Sequence, residues 1–89
     1  MIMAVSEIKK YLKGSRLILG TNLTIKQLKL GKIFKVFLSS NCSERVKKDI
    51  NYYCSMSNCS VENLQTPNEE LGIVCKKPFS VSVVGLLKQ

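Results

Sequence analysis

The sequence predicts an α/β fold, a three-layer α/β/α sandwich around a four-stranded mixed sheet. Three observations lead there. Helical and strand-like segments alternate along the chain. The strand-like segments are short and apolar, as strands covered on both faces are. No linker, repeat or low-complexity stretch divides the 89 residues, so 1–89 reads as a single domain. A chain this short buries only about 60–65% of its unfolded surface. With 45% hydrophobic and 22% charged residues it has an ordinary globular composition and should fold alone.

The elements follow in order. A first helix is expected over 6–13, with Val5, Ile8 and Leu12 on one stripe and Gly14-Ser15 ending it. "RLIL" (16–19) suits a buried strand. A second helix runs from Asn22 or Leu23 to Leu30, with Gly31 as its C-terminal stop. "KIFKVFLSS" (32–40) is the most strand-like segment, rich in β-branched and aromatic residues. Asn41 followed by Glu44 makes an Asn version of the capping box for a third helix over 43–57. "CSVENL" reads as a third strand. Thr66-Pro67-Asn68-Glu69 starts a short fourth helix, 67–74. "FSVSVVGLL" (79–87) closes the sheet, with Val81, Val83 and Leu87 on one face.

Charge narrows the function. The net charge is +8, and eight basic residues fall between Lys9 and Lys35. No acid occurs between Glu7 and Glu44. A one-sign field of that extent attracts polyanions, although a solvated lysine-rich surface explains the same composition. No run approaches the roughly 20 apolar residues of a membrane span, and "MIMAVSEIKK" lacks the order of a signal peptide. A cytoplasmic protein with no membrane partner is expected.

Four cysteines (Cys42, Cys54, Cys59, Cys75) form no C-x-x-C pair, and the chain contains no histidine. No metal site or cofactor is therefore expected, and the thiols read as buried small hydrophobes. Without histidine, with Glu69-Glu70 as the only paired carboxylates, and with no activating partner for a thiol, catalysis finds no support. Neither G-x-G-x-x-G nor the P-loop pattern is present, so a nucleotide or other small-molecule substrate is not expected.

RNA contact fits better. Gly20-Thr21-Asn22 hands a strand to a helix, where unpaired N–H groups favour an anion and Thr21 or Asn22 can cap one of them. Asn22, Lys26 and Lys29 at i, i+4 and i+7 form a polar stripe from that terminus. The same three side chains serve equally as a cap and two solvent-facing charges. If the second strand runs parallel to the first, Ser39-Ser40-Asn41 emerges at the same end. "CKKPFSV" adds Lys76 and Lys77 for phosphates and Phe79 either as a platform for an unpaired base or as the first core residue of the last strand.

The pattern "LGTNLTIKQLKLGK…KVFLSSNC…INYYCSM…NEELGIVCKKPFSVSV" resembles the archaeal and eukaryotic ribosomal protein L-thirty-e family, within the L-seven-A-e superfamily of kink-turn RNA binders. The resemblance runs from about Ile8 to Leu87. Thr24-Ile25-Lys26, Asn41-Cys42, Tyr52-Tyr53 and the Lys77–Phe79 spacing carry the L-thirty-e likeness, whereas Gly20-Thr21-Asn22 is closer to the L-seven-A-e signature. Leu23 stands where that signature continues with Glu, and Ser80 where L-thirty-e proteins commonly carry Arg. The resemblance implies that Gly20, Thr21, Asn22, Lys26, Asn41 and the loop Lys76, Lys77, Pro78, Phe79 and Ser80 grip a kink-turn. It also implies a non-catalytic large-subunit ribosomal protein, with rRNA and neighbouring ribosomal proteins as partners and a monomer off the ribosome. A kink-turn adaptor of guide-RNA particles and a protein-interaction module on the same fold are the competing readings.

Overall fold

The computed structural model describes Ile8 and residues 17–88. Within them the elements are β1 (Leu17–Leu19), α1 (Thr21–Lys29), β2 (Ile33–Leu38), α2 (Glu44–Ser57), β3 (Ser60–Asn63), α3 (Asn68–Val74) and β4 (Val83–Leu87). The helix expected over 6–13 lies outside the described residues except for Ile8, which is helical and fully buried.

The sheet has the order β1-β4-β2-β3. β4 is antiparallel to both β1 and β2, and β3 is parallel to β2. It follows that β1, β2 and β3 all point the same way and the sheet is mixed, as expected. Alternation along the strands then divides the core in two. Val36, Leu38 and Val83 face α1 and α2, packing on Leu28, Ile50 and Cys54. Phe37 and Val84 face the other way, onto Leu71 and Cys75 of α3 and onto Ile8. Helices thus cover both faces, which explains why the strands carry so few polar residues.

Two close approaches set the helix positions. At Gly85, a Cβ would sit 3.0 Å from Thr24 Cγ2 and 3.2 Å from Ile33 Cδ1, so its absence lets α1 lie close on β4. Thr24 is fully buried there, and its hydroxyl has no hydrogen-bond partner among the described residues. At Gly72, a Cβ would overlap the carbonyl oxygen of Phe79 and lie 3.1 Å from its carbonyl carbon. The loop before β4 therefore rests directly on the backbone of α3.

Several expectations about local chemistry need correction. Ser43, not Asn41, caps α2, its hydroxyl accepting from the Val46 N–H at 3.3 Å. Neither Thr21 nor Asn22 caps α1: Gly20 holds the N-cap position at φ 106°, with no side-chain bond to the helix. The last strand begins at Val83 rather than Phe79, and Val81 packs with Phe37 and Val84, on the face opposite Val83. The reason is local: 79–82 is held as a loop against α3, by Gly72 and by the Val81 N–H donating to Asn68 O at 3.0 Å.

Each described helix ends in the same way. Beyond α1, Gly31 (φ 70°) donates to Leu28 O at 2.9 Å and Lys32 to Gln27 O at 3.0 Å. This double bond is the Schellman closure that Gly31 foreshadowed. Asn58 (φ 55°) follows α2, where the Cys59 N–H reaches Cys54 O at 3.0 Å. After α3, Lys76 takes the left-handed position at φ 58°, and the Lys77 N–H reaches Gly72 O at 2.9 Å.

Candidate nucleic-acid interface

The strand directions assemble the interface. Because β1, β2 and β3 are parallel, their C-terminal ends share one edge of the sheet, and β4 starts there. Gly20, Ser39–Asn41 and the 76–82 loop are thereby gathered from distant parts of the sequence. β4 lies between β1 and β2, so the first two loops flank the third. Backbone bonds fix the spacing: Gly20 N–H to Val83 O at 3.0 Å, Ser39 N–H to Ser82 O at 2.9 Å, and Ser40 N–H to Thr66 O at 2.9 Å.

At the α1 end, the first intrahelical bond runs from the Thr24 N–H to Gly20 O at 3.2 Å. The N–H groups of Thr21, Asn22 and Leu23 precede it and have no partner within the helix. Glycine at the N-cap leaves them open, and a Cβ at Gly20 would meet nothing within 4 Å. Asn22 is exposed, and its amide has no partner among the described residues. Lys26 is exposed one turn along. Lys29 is another turn away, about 10 Å from Asn22 at 1.5 Å per residue, and its ammonium lies 5.3 Å from the centre of the Tyr53 ring. The stripe therefore leads away from the interface, with Asn22 and Lys26 at its near end and Lys29 at its far end.

Asn41 is exposed but already engaged. Its Oδ1 accepts from the Asn68 N–H at 2.8 Å and from Ser39 Oγ at 3.1 Å. Its Nδ2 donates to Asn68 Oδ1 at 3.1 Å, and Asn68 Nδ2 donates to Ser82 Oγ at 3.2 Å. Asn41 thus caps α3 across the loops and, through Asn68, joins the 39–41 loop to Ser82 of the 76–82 loop.

Lys76, Lys77, Pro78, Phe79 and Ser80 are all exposed, and Phe79 keeps 58% of its surface accessible. Of the two readings of Phe79, the core residue is excluded. Glu69, Ile73, Lys77, Pro78, Phe79 and Ser80 line a shallow, open depression of about 320 Å³. Glu69 puts a carboxylate on one wall, so a phosphate approaching this loop is favoured on the lysine side. Ile73 and Leu23, 74% and 55% exposed, add apolar surface near the two ends of the interface.

Sequence reasoning missed Gly72, which sets the height of the Phe79 loop, and the pairing of Asn68 with Asn41. No local pattern marks either, because each acts on a residue remote in sequence or defined only by the fold. Burial disfavours the thiolate form of all four cysteines. Burial raises Cys42, Cys59 and Cys75, and burial together with the neighbouring Cys59 thiol pushes Cys54 up to about 12. Among the described residues no three or more His, Cys, Asp or Glu side chains form a group that could hold a metal. No helix there is long and apolar enough to cross a membrane.

The model of the ribosomal protein L7Ae/L30e/S12e/Gadd45 family matches residues 4–89. The chain belongs to this family. The large ribosomal subunit protein eL30 of Sulfolobus acidocaldarius is 37% identical to this L7Ae/L30e-family chain over 83 residues, covering 93% of the chain and 80% of that protein. The protein of the same name from Methanothermobacter thermautotrophicus is 45% identical over 67 residues, covering 75% of this chain and 68% of its own. Among solved structures, the Giardia lamblia 15.5kD RNA binding protein superposes with a TM-score of 0.82 at 16% identity, covering 99% of this chain and 73% of that one. A Bacillus halodurans protein of unknown function superposes at 0.84, with 21% identity and coverage of 94% and 83%. The relatives are named as ribosomal proteins and not as enzymes, in agreement with the non-catalytic reading of the sequence.

Proposed function

We propose that this chain is a structural protein of the large ribosomal subunit that binds and stabilises a kink-turn-like rRNA element, as a monomer before assembly in the cytoplasm. The observation that carries the reading is the convergence of Gly20–Asn22, Asn41 and the 76–80 loop at one edge of the sheet. It is found in a chain 37–45% identical to the two proteins named eL30 above. The uncapped start of α1 and the side chains of Lys26, Lys76 and Lys77 offer positive ends and donors to a sharply bent backbone. Phe79, held clear of the core, offers an apolar face to an unstacked base, a contact of ~1–3 kcal/mol. Asn41, through Asn68, holds the 39–41 loop against Ser82 of the 76–82 loop.

The test is titration with a kink-turn RNA and with an unkinked duplex of matched length, at two salt concentrations. Preference for the kinked RNA that survives the higher salt is expected, because generic attraction to phosphate falls steeply with salt. Equal affinity for the two RNAs would defeat the proposal. Phe79→Ala should weaken kink-turn binding about five-fold or more, while its melting temperature stays near that of the parent because the ring is mostly exposed.

A further inference from the structure

The opposite edge of the sheet carries a second unusual aromatic. The β2–β4 ladder pairs Ile33 with Leu87 and Lys35 with Leu86, so two steps on β2 answer one on β4. Phe34 is the extra residue of this bulge. Under plain alternation Phe34 would join Val36 and Leu38 in the core against α1 and α2, and Ile33 would face the other way. The bulge instead gives Ile33 the buried place, fully covered with Val36 and Leu38, and leaves Phe34 53% exposed. Bulges that re-aim a side chain concentrate beside functional sites.

The surroundings of Phe34 are basic. Lys32 immediately precedes β2 and Lys88 follows β4, and the two are joined by the Lys88 N–H donating to Lys32 O at 2.8 Å. Both side chains are exposed and have no ion-pair partner among the described residues. Neither 17–43 nor 71–88 contains an acid, and Glu62 of the adjoining β3 is engaged by Lys35 at 3.6 Å, which leaves Lys32 and Lys88 to set the local field. β2 separates this patch from the first interface by about 20 Å, six residues at ~3.3 Å each. A single stacked base does not span that distance, so the two aromatics would take different bases.

We infer that Phe34, with Lys32 and Lys88, forms a second RNA-contact surface for an unpaired segment, at the edge of the sheet opposite the 20–22, 41 and 76–80 loops. An exposed aromatic ringed by lysines is the arrangement that stacks an unpaired base and holds its flanking phosphates. Apolar area alone would suit a protein equally. Two exposed lysines without ion partners among the described residues, with the nearby Glu62 already taken up by Lys35, favour a polyanion.

The experiment uses the intact chain and a fluorescent 12-nucleotide oligouridine, with and without saturating kink-turn RNA. Oligouridine binding is expected to persist when the kink-turn is bound. Phe34→Ala should weaken it at least five-fold and Phe34→Tyr should restore it, while both keep kink-turn affinity within two-fold. A Lys32→Gln, Lys88→Gln double variant should lower the salt slope of oligouridine binding by about 1.4, at ~0.7 per phosphate contact on single strands. Displacement of oligouridine by kink-turn RNA would overturn the inference. Unchanged oligouridine binding by Phe34→Ala overturns it as well and leaves the patch to a protein partner. The arm without kink-turn RNA keeps this test separate: should kink-turn binding fail, sensitivity to Phe34→Ala but not to Phe79→Ala still supports the second surface.

Discussion

Gly72→Ala is the sharpest test of how the fold presents Phe79. In an ordinary helix, alanine in place of glycine stabilises by about 0.5–1 kcal/mol. Here the added methyl would overlap the carbonyl oxygen of Phe79 and lie 3.1 Å from its carbonyl carbon and 3.4 Å from Ser80 Cα. The obstructing atoms are backbone, so no side-chain rotation relieves the overlap. The loop is held on both sides, by Lys77 N–H to Gly72 O at 2.9 Å and Val81 N–H to Asn68 O at 3.0 Å. It must retreat by roughly an ångström or lose one of these bonds, at the ~1–3 kcal/mol typical of overpacking. Set against the helix gain, the net loss is about 0–2.5 kcal/mol in urea unfolding. The same retreat carries Phe79 away, so kink-turn affinity should fall about five-fold, the lower limit for one stacked base. Gly31→Ala is the control. Its φ of 70° makes alanine cost about 1 kcal/mol, yet nothing lies within 4 Å and RNA affinity should not change. A Gly72→Ala protein as stable as the parent and equal in affinity would refute both the contact and the role given to the loop.

Three further outcomes are expected. Thr24→Val replaces a buried hydroxyl that has no partner by a methyl of the same shape, and should raise stability by about 1 kcal/mol in urea unfolding, since an unsatisfied buried group costs ~1–3 kcal/mol. Asn41→Ala removes the cap of α3 and the brace to Asn68, and should cost about 1–2 kcal/mol, read as a lower urea midpoint at unchanged slope. Burial raises Cys54 to about 12, so from about pH 9 the unfolded chain sheds a thiol proton that the folded chain keeps. Stability from this group is complete below pH 9 and is lost as pH rises toward 12. Chemical denaturation at stepped pH should show a shallower alkaline decline in Cys54→Ala.

Much of this was legible because it depends on local signals. Glycine at 31, the β-branched and aromatic residues of 33–38 and the 3.6-residue spacing of Val46, Ile50, Tyr53 and Cys54 are each read within one turn or one strand. The gathering of three loops at one edge follows from β1 and β2 running parallel. What escaped was set by tertiary contact. Asn41 has a capping side chain and a helix just after it, so sequence assigns it to α2. In the fold it caps α3, 27 residues away, because β2 and β3 are adjacent and parallel and their following loops meet. Lys29 belongs by spacing to the Asn22 stripe, yet the packing of α1 beside α2 puts its ammonium over Tyr53.

The two aromatics that the strand pattern misplaces share one physical cause. Phe79 and Phe34 each open an apolar stretch whose alternation assigns a ring to the core, and both end more than half exposed. In each case an irregularity of the backbone decides: Gly72 holds 79–82 off the sheet, and the bulge at Ile33–Lys35 shifts β2 by one residue. Burying a phenylalanine stabilises by about 1.5–3 kcal/mol, so each exposed ring forgoes stability that the plain pattern would have supplied. Local rules that fail against such a gradient tend to fail at functional positions. Both rings have exposed lysines without ion partners among the described residues close by in the chain or the sheet, Lys76 and Lys77 for Phe79 and Lys32 and Lys88 for Phe34. If exposure were only tolerated, alanine would be harmless at both. If both rings stack on RNA, alanine at each should abolish one contact and spare the other, and that separation of effects is what the two binding experiments measure.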